Sequence, residues 1–477
     1  MNLNWHQWLS SGLLLLDMLI ILVLLPTVIQ QRRESGATLA WVLAIVFLPF
    51  IGLISFWLFG TTRLYLRRRK RRKVEERLAP ELQRVQSHRF EQHNIAGIPP
   101  SLLKLAHRLD HIGPVGGNQI ELYRDGKLAF QAIEDAIAQA QHHIHLLYYI
   151  WEVDATGRRI RNALIQAAQR GVEVRLCVDD VGSRSANAKF FKGLTQAGGQ
   201  VARFLKVNIL SRRINLNNRN HRKVVVIDGL VAFTGGMNVG DAYAGIGEPW
   251  QDLHARIEGP VAKDLQEVFC QDWYHATNEN LINDEYFPPS VSKGDIKAQF
   301  LASGPADRRW QSIYMALFAA INLAEKRVWI ETPYFVPDRP LMLALQTAAL
   351  RGVDVRILLP GQSDHALVLY AGRSFIDELL AAGTRIFEYQ GAMTHSKALI
   401  FDSKFATLGS ANMDQRSFRL NFEGNIFFYS ETITQQMEAD FLKLCASAVE
   451  ITAQRRKAVS KTDRLLESAA HIMAPLL

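Results

Sequence analysis

Residues 220–228 read NHRKVVVID, and residues 394–402 read THSKALIFD. In both stretches a histidine is followed by lysine at +2, aspartate at +7, glycine at +14 and asparagine at +17. The first set is His221, Lys223, Asp228, Gly235 and Asn238; the second is His395, Lys397, Asp402, Gly409 and Asn412. A lone H-x-K at a strand mouth is ordinarily a pair of surface polar groups. Five matched residue types at five matched offsets, twice over, limit the chain to a fold that contains one unit in duplicate. Within each copy the histidine and lysine are two apart and share one face of an extended segment.

The duplication extends beyond these stretches. AIAQAQHHIHLLYYIWEVD followed by AAQRGVEVRLCVDD in the first half matches AINLAEKRVWIETPYFVPD followed by AALRGVDVRILLPG in the second. Each predicts an amphipathic helix, a buried strand, a helix stopped by a glycine (Gly171, Gly352) and another strand. Strands alternating with helices predict mixed or parallel sheets covered by helices. With only two copies this is a tandem duplication rather than a solenoid.

The chain has 477 residues, room for about three domains at ~150 residues each. Leu9–Ile29 and Thr38–Phe59 are apolar runs, each long enough to cross a hydrocarbon core as a helix. A signal peptide is the alternative for the first run, but no positive charge precedes it and no small-residue cleavage site follows. Asp17, inside the first run, is expected to face the second helix or an interface. Pro26 and Pro49 could kink the two runs.

The formal net charge is +9, and Arg63, Arg67, Arg68, Arg69, Lys70, Arg71, Arg72 and Lys73 account for nearly all of it. The rest of the chain is close to neutral, which speaks against nucleic acid as the partner. A basic cluster of this size is expected on the cytoplasmic side of a membrane span, outweighing Arg32 and Arg33 between the two runs, and to attract anionic lipid head groups. Three widely separated cysteines, Cys177, Cys270 and Cys445, fit a reducing compartment and show no metal-ligand spacing.

The expected division is a transmembrane hairpin (1–60), a basic juxtamembrane connector (61–110), a first α/β domain (111–275), a polar linker (276–297) and a second α/β domain (298–477). Lysine is a poor metal ligand beside histidine but a good point charge for a phosphate oxygen. Histidine serves as nucleophile or general acid/base near neutral pH. Two half-sites facing each other would surround a phosphodiester with two histidines, two lysines and two asparagines, performing phosphoryl transfer with no metal or other cofactor. The residues leave open which histidine attacks.

The doubled H-x-K-x4-D-x6-G-x2-N pattern resembles the signature of the phospholipase D superfamily. With two N-terminal apolar runs, GGMNVGDAY and GSANMDQRSFRLNFE, the chain is similar to bacterial cardiolipin synthases. The resemblance implies an inner-membrane enzyme that joins two phosphatidylglycerol molecules into cardiolipin and glycerol. It also implies His221 as nucleophile and His395 as general acid and then base. The catalytic set taken from the motifs is His221, Lys223, Asp228, His395, Lys397 and Asp402, of which the two aspartates are expected to be structural.

Asn238, Asn412 and Ser410 are expected to support the phosphate. The family sets a downstream carboxylate against each histidine, with Glu423 fitting the second half and Asp252 the first. Family members often carry an acid in the GD-x-Y stretch, where this chain has Ala242. Arg212, Arg213, Arg219 and Arg416 are candidates for head-group contact, with solvated or ion-paired arginine as the alternative. His142, His143 and His254 are read as structural. A hydrolase or nuclease using the same site, and a lipid-binding protein with a dead site, are the competing readings; two intact motifs oppose the last.

Overall fold

The computed structural model describes residues 5–30, 35–56, 80–82, 94–110, 113–206, 218–305 and 311–477. The basic run 63–73, Arg32, Arg33, Arg212 and Arg213 lie outside the described residues. By internal contacts the chain forms two compact units, Met1–Lys70 and Arg71–Leu477.

In the first unit a helix spans Trp5–Gln30, and its segment Gly12–Gln30 is long and apolar enough to cross a membrane, with a mean hydropathy of 2.7. The second apolar run, expected as one span, is two helices, Ser35–Phe47 and Pro49–Ser55. Pro49 cannot donate the backbone bond that would continue the first of them, so the chain breaks at Leu48 and restarts with proline in the first helical turn. The runs pack on one another through Val28, Ile45 and Phe56, and Trp41 meets Phe56 edge-on at 5.3 Å.

The second unit is built on a single 15-stranded mixed sheet in which the two repeats lie edge to edge. In the first repeat, His143–Tyr148, Glu173–Asp179 and Gln200–Phe204 are parallel neighbours, as the helix–strand alternation predicts. Val224–Ile227, Val231–Gly235 and His254–Glu258 extend them antiparallel. The second repeat has the same order, with Arg327–Glu331, Asp354–Pro360 and Arg385–Tyr389 parallel, then Ala398–Phe401, Phe405–Gly409 and Glu423–Tyr429 antiparallel. The seam is the antiparallel pair Val115–Tyr123 and Ile296–Ser303. Both H-x-K loops therefore lie at the ends of inner strands on either side of one junction.

One core is shared by the two repeats, where Leu265 and Phe269 of the helix Ala262–Thr277 and Met437 and Phe441 of the helix Glu431–Ala446 bury against the sheet. The opposite face has a separate core for each repeat. The polar stretch 276–297, expected to be a linker, is anchored in the shared core by Leu281, Ile282, Tyr286 and Phe287, and the Tyr286 hydroxyl donates to Glu173 Oε2 at 2.7 Å. The apolar side chains of this stretch are unevenly spaced among polar ones and give too little periodicity to mark it as packed structure.

Candidate active site

Each H-x-K loop leaves its strand in an irregular segment that is stitched to the other repeat. The His221 N–H donates to Phe422 O at 2.9 Å and the Phe422 N–H donates to Arg219 O at 2.8 Å. The same exchange recurs in the other loop, from His395 N to Gln251 O at 2.6 Å and from Gln251 N to Met393 O at 2.9 Å. Each pair forms an isolated parallel bridge, Asn220 with Phe422 and Gln251 with Thr394. The residue after each bridging partner is a carboxylate: Glu423 after Phe422 and Asp252 after Gln251.

These braces decide the pairing of carboxylate with histidine. Nδ1 of His221 lies 3.1 Å from Glu423 Oε2 and 3.0 Å from Ser410 O. Nδ1 of His395 lies 2.7 Å from Asp252 Oδ2. The sequence assigns Glu423 and Asp252 each to its own half; the structure exchanges them, so each histidine is oriented by a carboxylate from the other repeat. Because both neighbours of His221 Nδ1 are acceptors, that nitrogen carries the proton, and Nε2 keeps its lone pair.

The repeats are not equivalent behind the histidines. Ser410 Oγ donates to Glu423 Oε2 and accepts from the Gly424 N–H at 3.0 Å, so Ser410 supports the carboxylate rather than a phosphate. Its counterpart is Gly236, where an added Cβ would lie 2.0 Å from Asp252 Oδ1. The preceding glycine of each motif is required by close strand approach: a Cβ would meet Leu253 O at 2.4 Å at Gly235 and Gly424 O at 2.3 Å at Gly409.

The lysines share the chamber. Lys223 Nζ donates to His221 O at 2.6 Å and stands 5.5 Å from the ring centre of Tyr149. Lys397 Nζ is 3.0 Å from His395 Nε2 and also donates to His395 O. Burial, then mutual repulsion, draws Lys223 down to about 7, and burial draws Lys397 down to about 8. Burial, followed by the nearby lysine charges, holds His395 well below its ordinary value; His221 is also lowered, by burial first. Burial would raise Glu423, but His221 and Lys223 outweigh it and keep it ionised, whereas burial lifts Asp252 to about 6. An anion entering this chamber would hold both lysines charged.

Aromatic rings wall the two histidines. Tyr149 meets His221 edge-on at 4.8 Å, while Tyr243 and Trp250 lie 5.3 and 5.2 Å from His395. Nothing in their sequence spacing singled these out.

Asp228 and Asp402 stand at the far ends of the strands that begin after the lysines and do not belong to the chamber. Asp228 accepts the N–H groups of Gln141, His142 and His143 at 2.8–2.9 Å, and Asp402 those of Glu325, Lys326 and Arg327 at 2.7–3.0 Å. Both have left-handed backbones, at φ +52° and +54°, which aspartate tolerates better than most residues. They fix the start of the neighbouring strand. Asn238, expected beside the anion, is fixed by two bonds: Oδ1 accepts from Ile150 N at 3.1 Å, and Nδ2 donates one of its two hydrogens to the Tyr243 hydroxyl at 2.9 Å. Asn412 is buried with no partner for its side-chain oxygen among the described residues.

Arg219 is buried 3.6 Å from Asp179, an ion pair rather than a head-group contact. Arg416 lies close enough to Tyr149 to act on its phenol electrostatically. His143 packs on His145 and Tyr286, and His254 is buried and drawn down to about 4 by that burial.

Two buried networks escaped the sequence reading. Arg124 makes a two-pronged contact with Glu331, at 3.1 and 3.0 Å, and reaches Ser396 Oγ at 3.4 Å; Thr394 Oγ1 donates to Glu331 Oε1 at 2.7 Å. The residues on either side of His395 are thereby tied to the first repeat. Arg222, between His221 and Lys223, reciprocates by donating to Asp272 Oδ2 at 2.7 Å, Glu423 O at 2.9 Å and Ser303 O at 3.0 Å. An acid in the apolar strand RVWIE is a legible sign of a buried partner; which partner is not.

Residues 133–273 and 317–445 match the family described as cardiolipin synthase, PLD-like domain, and residues 18–60 match the phospholipase D-nuclease N-terminal family. A cardiolipin synthase of Geobacillus thermodenitrificans is 38% identical over 94% of this chain and 90% of its own length. The major cardiolipin synthase of Bacillus subtilis is 36% identical over 98% of this chain and 100% of its own. Among solved structures, a phosphatidylserine synthase of Haemophilus influenzae shares the fold at a TM-score of 0.59 and 15% identity, covering 75% of this chain and 95% of that one. On its repeated domains and on its full-length relatives, the chain belongs to the cardiolipin synthase family of PLD-like proteins.

Proposed function

We propose that this chain transfers a phosphatidyl group from one phosphatidylglycerol to another, giving cardiolipin and glycerol, through a phosphohistidine on His221. The observation that carries the assignment of His221 is its Nδ1, held between the acceptors Glu423 Oε2 and Ser410 O so that Nε2 is the free nucleophile. Nε2 attacks phosphorus, and the bond from phosphorus to the glycerol oxygen breaks. The anionic phosphodiester offsets the lysine charges that hold His395 down, so His395, with its Nδ1 on Asp252, takes up a proton at Nε2 on substrate binding and gives it to that oxygen, returning to the neutral base. The second phosphatidylglycerol then enters; one of its hydroxyls passes a proton to His395, its oxygen bonds to phosphorus, and the P–N bond breaks. One phosphodiester replaces another, so no energy input is needed.

Lys223 and Lys397 carry the charge stabilisation, and the phosphate's own charge offsets the burial that lowers both of them and the Lys397 charge that further lowers Lys223. Hydrolysis differs only in the acceptor, water in place of a lipid hydroxyl. A site fed from a membrane meets lipid hydroxyls at high local concentration, which favours transfer. An alkaline denaturing quench, in which a P–N bond survives, of the enzyme with phosphorus-labelled phosphatidylglycerol should leave label on His221 and none in His221→Ala; label on His395 alone would reverse the roles.

Membrane association follows from the family and the apolar helix. We place both ends of the N-terminal hairpin and the sheet domains on the cytoplasmic side, on the strength of the basic run 63–73. A cysteine introduced at Ser35 should react with an impermeant reagent on intact cells, and one introduced at Ser292 should not. The opposite pattern would overturn the orientation.

A further inference from the structure

The helix Lys461–Met473 presents an apolar stripe to solvent. Leu465 and Ile472 are 70% and 77% exposed, and Leu466 and Met473 are 44% and 40% exposed. Their spacing of one, seven and eight residues from Leu465 places all four on one side of a 3.6-residue helix. Packing does not explain them, because the helix is held by its other side. Arg456, buried beneath it, donates to Glu467 Oε1 and Oε2 at 2.8 and 2.6 Å and to Asp377 at 2.9 Å. Ala470 is buried, and His471 Nδ1 lies 2.9 Å from Ser374 Oγ. Ser460 caps the first turn, accepting from Asp463 N at 3.0 Å. A rigidly mounted helix with an open apolar face calls for something to cover that face.

Its position says what. The helix packs on Ala366–Arg373, which starts directly after Asp364 and His365 at the lip of the chamber. The Tyr334 hydroxyl donates to Asp364 Oδ1 at 2.7 Å there, and Tyr334 lies one residue before the short strand that pairs beside Asn412. Leu367, 45% exposed in the first turn of Ala366–Arg373, carries the apolar surface to that lip. Past the far end of the helix, Leu477 O accepts from the Arg416 N–H. Exposed Arg455, Lys457 and Lys461 flank the helix start. Apolar side chains beside basic ones suit the interface of an anionic bilayer.

We propose that Leu465, Leu466, Ile472 and Met473 insert into the surface of an anionic bilayer and hold the mouth of the chamber against it. Lipid head groups then reach His221 and His395 without leaving the membrane plane. The inference uses the lipid substrate of the proposed function but is read by a signal independent of turnover.

The test uses the full chain with Cys445→Ser, Cys177 and Cys270 being buried. Ile472→Cys carries an environment-sensitive dye, and the protein is reconstituted in phosphatidylglycerol vesicles with and without brominated acyl chains. The dye should be quenched at least about twofold by the brominated lipid, whether or not the enzyme makes cardiolipin. In a second arm, Leu465→Glu/Ile472→Glu should lower turnover of vesicle phosphatidylglycerol about tenfold and leave turnover of a monomeric short-chain phosphatidylglycerol within about twofold. Absence of quenching, or quenching that follows protein concentration and so reports a second copy, would overturn the proposal. So would an equal loss on both substrates.

Discussion

Glu423 Oε2 stands 3.1 Å from His221 Nδ1, although the two residues lie in opposite repeats. With Asp252 on His395 at 2.7 Å, the exchange makes one site that neither repeat can complete alone. Glu423→Gln should slow phosphohistidine formation about 10²–10³-fold, since the amide can donate as well as accept and no longer fixes the tautomer. Asp252→Asn should lower turnover comparably through proton transfer at His395. Rapid-quench kinetics separates the two, and normal phosphohistidine formation in Glu423→Gln would refute the pairing.

The lysines give the reaction a pH signature. Lys223, lowered to about 7, and Lys397, lowered to about 8, must be charged to draw in an anionic phosphodiester. Raising the pH through these values removes their charge, so kcat/KM, which reports the free enzyme, should fall from about 7 upward. In the loaded site the phosphate holds both lysines charged, and kcat should persist to higher pH. A kcat/KM that stays level well above pH 8 would contradict this assignment.

Asp402 should matter to stability and not to chemistry. Asp402→Ala leaves three backbone N–H groups without their acceptor and puts alanine at φ +54°, a loss of about 1–3 kcal/mol. Thermal unfolding should shift downward while kcat per folded molecule stays within about twofold. Loss of kcat with an unchanged unfolding temperature would return the residue to the catalytic set.

The Arg124–Glu331 pair should act as one unit. Removing Arg124 leaves the buried Glu331 carboxylate without its cation, at about 3–5 kcal/mol, whereas Arg124 keeps Asp440 at 3.8 Å when Glu331 is lost, so Arg124→Met should destabilise more than Glu331→Gln and the double variant should fall well short of their sum. The coupling should extend to Thr394→Val and be absent for Ser430→Ala, a helix cap elsewhere. Additive effects would mean that the network does not hold the second H-x-K loop.

The duplication was legible because it is local. His221, Lys223 and Gly235 sit at fixed offsets in one run, and so do their copies, so fold class and core chemistry followed from spacing. The exchange of Glu423 and Asp252 was not legible, because it depends on main-chain bridges between Asn220 and Phe422 and between Gln251 and Thr394. No offset within one repeat encodes these. The bonds that orient the Asn238 amide were hidden for a related reason: Ile150 and Tyr243 are partners that only the folded chain brings to it. The break at Leu48 was foreshadowed by Pro49, whereas the packing of 276–297 was hidden by its polar composition.

Transfer between two molecules of one lipid is decided by the products made from that lipid alone. Purified full-length enzyme should be given phosphatidylglycerol as the sole phospholipid in mixed micelles, with both lipid products and free glycerol quantified. Cardiolipin and glycerol should form in equal amounts, with added glycerol driving the reaction backward. Phosphatidic acid and glycerol with no cardiolipin would contradict transfer and make the enzyme a hydrolase.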